Sequence, residues 1–102
     1  MLKSRKILNF STKYDRGGEM KIYDYNGKKN ICGERVRQAR QKGRMSQSDL
    51  AARLQVENVI IERDSISRIE SGTRFVTDYE LKVLAKVLKV DLLWLLEEDE
   101  SL

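Results

Sequence analysis

The stretch Arg63-Asp64-Ser65-Ile66-Ser67-Arg68-Ile69-Glu70-Ser71 holds the most specific chemistry in the chain. Set at about 100° per residue, Ile66 and Ile69 fall on one side, and Asp64, Ser67, Arg68 and Ser71 fall on the other. The apolar side is compact and β-branched. The polar side carries small groups and a long cation, with no bulky apolar residue. Such a rod suits close approach to another polymer: serine leaves room and arginine reaches. A guanidinium donates two parallel hydrogen bonds to O6 and N7 of a guanine, and a serine hydroxyl meets a phosphate or a base edge. Arg63 and Asp64 stand at the start of the segment, the end that usually points into a groove. The bland alternative for Arg68 is a solvated side chain or a pair with an acid.

Catalysis finds little support. The 102 residues include no His and a single Cys, Cys32. That removes the commonest general base and the commonest transition-metal ligand. One Cys makes no internal disulfide and, without His, no structural zinc site. Carboxylates fall at solvated or helix-capping positions, and no glycine-rich phosphate loop is present. The expectation is therefore no enzyme, no metal and no cofactor. Cys32 reads as a half-buried small residue rather than a redox switch, since nothing near it argues for a lowered pKa. No apolar run nears ~18 residues, so no membrane span is expected. The first ten residues lack the long apolar stretch of a secretory signal. A cytoplasmic, nucleoid-associated location is expected.

Charge is uneven along the chain. The formal net charge is +4, with 35% charged and 40% apolar residues. Residues 1–30 carry a net of +5, residues 31–74 a net of +3, and residues 75–102 a net of −4. A nucleic-acid-facing surface produces such asymmetry, as does solvated scatter followed by an acidic tail.

The elements that must position the polar rod are helical. Residues 1–30 read as an extended or partly disordered N-terminal arm, with Met20 a candidate true start and Asn26-Gly27 a turn. The first helix is expected over about 31–42, with Asn30 as N-cap and Gly43 as stop. Ile31, Val36 and Ala39 mark its inner face, and Arg35, Arg37, Arg40 and Lys42 point outward. Ser46-Gln47-Ser48-Asp49 reads as a capping box opening a second helix that buries Leu50, Ala51 and Leu54. The third runs about 63–71 to Gly72. Thr77-Asp78-Tyr79-Glu80 opens a fourth, with Leu81, Leu84, Ala85 and Leu88 inward. Asp91 caps a fifth, from Leu92 to about Glu98. The fold class is all-α, a compact five-helix bundle over 31–96, with an acidic tail at 97–102.

The ordered blocks Ser46-Gln47, Leu50-Ala51, Leu54, then Ile66-Ser67-Arg68-Ile69-Glu70-Ser71-Gly72, then Leu81, Leu84-Ala85, Leu88, Val90 and Trp94-Leu95-Leu96 resemble the phage-repressor (Cro/repressor, XRE) helix-turn-helix family. The likeness covers about residues 31–96. It implies a repressor-like domain whose third helix reads the major groove of double-stranded DNA, as a sequence-specific transcriptional regulator. By that likeness Arg63, Asp64 and Arg68 match base-reading positions, and Ser67 lies beside them. Gln47 matches a residue that bonds phosphate and braces the third helix. Arg74 matches a phosphate contact, and Glu70 a partly buried structural acid. Lys42 and Arg44 are the members of the basic run 35–44 most expected at DNA.

One spacing departs from the family. Leu54 and Ile66 are twelve positions apart, so the tight turn becomes a loop holding Val59, Ile60 and Ile61. About five extra residues cost little closure entropy if the loop bulges outward. The insert could instead lengthen the second helix or offer a partner a small contact surface. The run Leu92-Leu93-Trp94-Leu95-Leu96 exceeds the one stripe that a surface helix can bury. A homodimer with Leu93 and Leu96 at its interface is expected, the alternative being Leu93 packed on the N-terminal arm. The second functional reading is an antitoxin-like or accessory module that uses the same scaffold against a partner protein.

Overall fold

The structure is a computed structural model that describes residues 25–97. Five helices follow one another: α1 (Gly33–Lys42), α2 (Gln47–Val56), α3 (Arg63–Ser71), α4 (Asp78–Leu88) and α5 (Leu92–Leu96). The expectations for the chain before Tyr25, a start at Met20 included, and for the acidic tail beyond Glu97 lie outside the described residues.

The helices form where capping and apolar spacing agree. Ser46 accepts a hydrogen bond from the Asp49 N–H, and the Asp49 carboxylate accepts one from the Ser46 N–H, both at 2.9 Å. Thr77 and Glu80 repeat this box at the start of α4. Each box satisfies backbone donors that an α-helix leaves unpaired at its N-terminus. Gly72 ends α3 at φ +83°, a left-handed position that costs glycine no Cβ clash.

Three boundaries differ from expectation. First, α1 starts at Gly33 with Cys32 as its N-cap, and Ile31 precedes the helix, 37% exposed, instead of lining its inner face. Asn30 still serves that end: its Oδ1 accepts from the Gly33 N–H at 2.8 Å. Its Nδ2 donates to the carbonyls of Ile69 and Arg74. The one side chain thus caps α1 through its amide oxygen and ties the arm to the far end of α3 through its amide nitrogen. Second, α5 stops at Leu96, and the Asp91 side chain accepts no helix N–H. Third, the residues between α2 and α3 do not bulge away. Val59 and Ile61 are buried, whereas Ile60 between them points out.

Val36, Leu50, Leu54, Ile66, Ile69, Leu84 and Leu95 form the fully buried centre of the core. Cys32 is buried rather than half-buried, at 2% exposure, and burial pushes its thiol up to about 11. The α3 helix packs on both α1 and α2. A Cβ at Gly33 would meet the Ile69 carbonyl oxygen, so the absence of a side chain there sets the close approach of α1 to α3. Ahead of α1, Tyr25 and Lys28 form a single antiparallel bridge around Asn26-Gly27, and the Lys29 N–H donates to the Gly72 carbonyl at 2.7 Å. This is the turn expected at Asn26-Gly27.

Candidate nucleic-acid interface

The α3 helix is short and rich in serine and β-branched residues, which are modest helix formers. It holds its place by tertiary contact. Ile66 and Ile69 are completely buried beneath it. Glu70, only 8% exposed, is gripped from two sides. Arg40 of α1 donates from Nε to Oε2 at 2.6 Å and from Nη2 to Oε1 at 3.0 Å. Gln47 of α2 donates from Nε2 to Oε1 at 3.1 Å. One carboxylate thus joins three helices and fixes how far α3 stands out from the bundle.

Arg40 therefore corrects the sequence reading, which pointed it outward with Arg35, Arg37 and Lys42. Its side chain is 11% exposed, and its Nη1 also donates to the Met45 carbonyl. The signal was present: Arg40 lies four residues after Val36 and next to Ala39, at the margin of the buried stripe. Arg35 also turns inward in part, with its guanidinium 4.5 Å from the Trp94 ring centroid. That contact connects α1 with α5 and makes Trp94 a packing residue.

With Ile66, Ile69 and Glu70 inward, the opposite side of α3 is presented to solvent. Arg63, Asp64, Ser67 and Arg68 line one shallow open depression on that side. All four are exposed. Arg63 and Asp64 form an ion pair at 3.1 Å, with both side chains more than half exposed. Such a pair is weak in water and easily exchanged for another partner. The Arg68 Nη2 donates to the Ser65 hydroxyl at 3.1 Å, a bond that steadies the guanidinium without burying it. Of the four side chains expected on the polar side, Asp64, Ser67 and Arg68 are thus brought together, joined by Arg63 from the start of the helix, while Ser71 does not line the depression.

The flanking residues divide. Gln47 is half-buried and spends its amide on Glu70, which matches the bracing part of its expected role. Lys42 and Arg44 are exposed at the turn between α1 and α2, where Arg44 adopts φ +58°. Arg74 is 26% exposed, and its fork is bidentate on Glu80, with both bonds at 3.1 Å. It also donates to the Phe75 carbonyl. Burial pushes the Glu80 carboxyl up, but Arg74 and the Thr77 N–H outweigh that and hold it below its ordinary value.

On α5, Leu95 is fully buried, while Leu93 is 66% and Leu96 37% exposed. Among the described residues no helix is long and apolar enough to cross a membrane, and no cluster of His, Cys, Asp or Glu is placed to hold a metal ion.

A family model described as helix-turn-helix matches residues 36–95. The matched span runs from the first turn of α1 to α5 and includes the whole of the depression on α3. No curated protein and no solved structure matches the chain.

Proposed function

The chain belongs to the Cro/C1-type helix-turn-helix family, a DNA-binding regulatory family, and on that premise we propose that it reads an operator with α3 as a sequence-specific transcriptional regulator. The observation that carries this reading is the outward cluster Arg63, Asp64, Ser67 and Arg68, held on a rod that is apolar and clamped behind. Arg68 takes a guanine edge, Ser67 a neighbouring base or phosphate, and Asp64 either accepts from a cytosine amine or orients Arg63. Lys42, Arg44 and the N-terminal turn of α2 with Gln47 hold the phosphate backbone. Arg74, fixed by Glu80, acts there as a rigid positive edge rather than a mobile hook. This role involves no catalysis.

Two copies form the binding unit, with Leu93 and Leu96 of each α5 covering one another. The exposed Leu93 and Leu96 beside a buried Leu95 favour that arrangement, since association removes their apolar area from water. The operator then has two-fold character, with half-sites ~34–36 Å apart.

Selection of bound duplexes from random DNA at two salt concentrations tests the reading. The expected result is a recurring, two-fold-related sequence whose affinity falls steeply with salt, as released counterions require. Recovery of no preferred sequence overturns operator reading. Salt-insensitive co-purification with a protein, in place of DNA, transfers the scaffold to the accessory-module reading.

A further inference from the structure

We infer that Ile60 is a specificity-determining residue that reads a thymine methyl group beside the bases met by α3, an inference that rests on the operator-binding reading above. The segment between α2 and α3 is built to hold this one side chain out. The α2 helix ends through Asn58, which takes φ +66°, and the Val59 N–H bonds back to the Leu54 carbonyl at 3.0 Å. Val59 and Ile61 then plug into the core, 8% and 3% exposed, while Ile60 between them is 66% exposed. That is the alternation of an extended segment, in which successive side chains take opposite sides. The start of the segment is tied down a second time, by Lys86 of α4 to Glu57 at 2.7 Å. A solitary exposed apolar side chain is ordinary on a protein surface. Ile60 differs in being fixed by buried neighbours on both sides.

Its place relative to α3 gives the rigid side chain its target. Ile60 lies two residues before the N-cap Glu62 and three before Arg63. An extended chain covers that interval in about 10 Å. Base pairs follow one another about every 3.4 Å, so Ile60 is within about three steps of the base approached by Arg63. Ile60 offers no hydrogen bond, and the exposed carboxylates of Glu62 and Asp64 stand just beyond it in sequence. With Asp64 paired to Arg63, the Glu62 carboxylate disfavours phosphate beside Ile60, and an apolar group on a base edge is the surface that matches it. The only apolar group on the major-groove edge of a base pair is the C5-methyl of thymine.

The test uses the full chain and the duplex recovered by selection, with each thymine replaced in turn by uracil, which lacks only the methyl. Wild-type protein is expected to bind about fourfold more weakly when one particular thymine of each half-site is replaced, the scale of one buried methyl group. Ile60→Ala is expected to bind the thymine duplex more weakly by a similar factor and to be indifferent to that replacement. Val56→Ala, at a still more exposed apolar residue ending α2, is expected to respond to uracil as wild type does. If Ile60→Ala and wild type respond alike to every replacement, the inference is overturned while operator binding stands. The same holds if Ile60→Ala changes only retention of a protein partner. If no duplex is selected, the operator reading itself has failed.

Discussion

Arg40 and Glu70 face each other as a two-point pair, Nε to Oε2 at 2.6 Å and Nη2 to Oε1 at 3.0 Å, with side-chain exposures of 11% and 5%. The pair joins the last turn of α1 to the last turn of α3. Because Gln47 of α2 shares the same carboxylate, the angle at which α3 is offered depends on both neighbouring helices. The interface is therefore set by residues that do not lie on it.

Removing either partner strands the other in a poorly hydrated place. Arg40→Ala or Glu70→Ala is expected to lower stability by ~3–5 kcal/mol, read as a shift in the urea midpoint. Replacing both by apolar residues of similar volume is expected to recover much of that loss. If the double replacement is no better than the worse single one, stranded charge is not the cause.

Arg68→Ala is expected to reduce discrimination at one base pair by ~1–3 kcal/mol while leaving binding to random DNA little changed. Lys42→Ala should weaken all sequences alike and flatten the salt slope by about one. Titrations against the selected duplex and its single-base variants separate the two. Equal loss on every sequence for Arg68→Ala would remove it from base reading.

Leu93→Asp puts a charge where the second copy is proposed to cover it. Sedimentation is expected to show a shift from dimer to monomer with unchanged helical content. An unaltered oligomeric state would place the contact elsewhere.

Glu80 binds its proton more weakly in the folded protein than in the unfolded chain, because Arg74 and the Thr77 N–H favour the carboxylate more than burial disfavours it. Its stabilising contribution is complete above the unfolded carboxyl value of ~4.3 and disappears as pH falls through the lower folded value. Asp49 acts in the same direction, its carboxylate favoured by the Ser46 N–H that donates to it and by the Ser46 side chain. Urea unfolding at a series of acid pH values is expected to show a steeper loss for wild type than for Glu80→Gln. Parallel curves would mean that Glu80 does not drive the acid limb.

Burial that pushes Cys32 up to about 11 leaves almost no thiolate at neutral pH. Its reaction with a soluble disulfide reagent is expected to be slow in the native protein and fast once urea unfolds it. A fast native reaction would require the start of α1 to open readily.

Much of this molecule was legible in its residues because local rules decided it. The two capping boxes, the stop at Gly72, and the inward stripes Leu50/Leu54, Ile66/Ile69 and Leu84/Leu88 follow from spacing of about 3.6 residues and from capping chemistry. The outward set Asp64, Ser67 and Arg68 follows from the same wheel, because a helix that buries Ile66 and Ile69 has no other place for them. What the tertiary structure alone decided are pairings between residues far apart in the chain. Periodicity assigns a side chain to a face but names no partner, so Arg40 passed for a solvated cation until Glu70, thirty residues on, closed against it. The same limit governed Asn30, whose amide nitrogen donates to the carbonyls of Ile69 and Arg74, partners that local spacing does not name. It also governed the insert before α3, where the depth of the core, not any local motif, drew Val59 and Ile61 in and left Ile60 out.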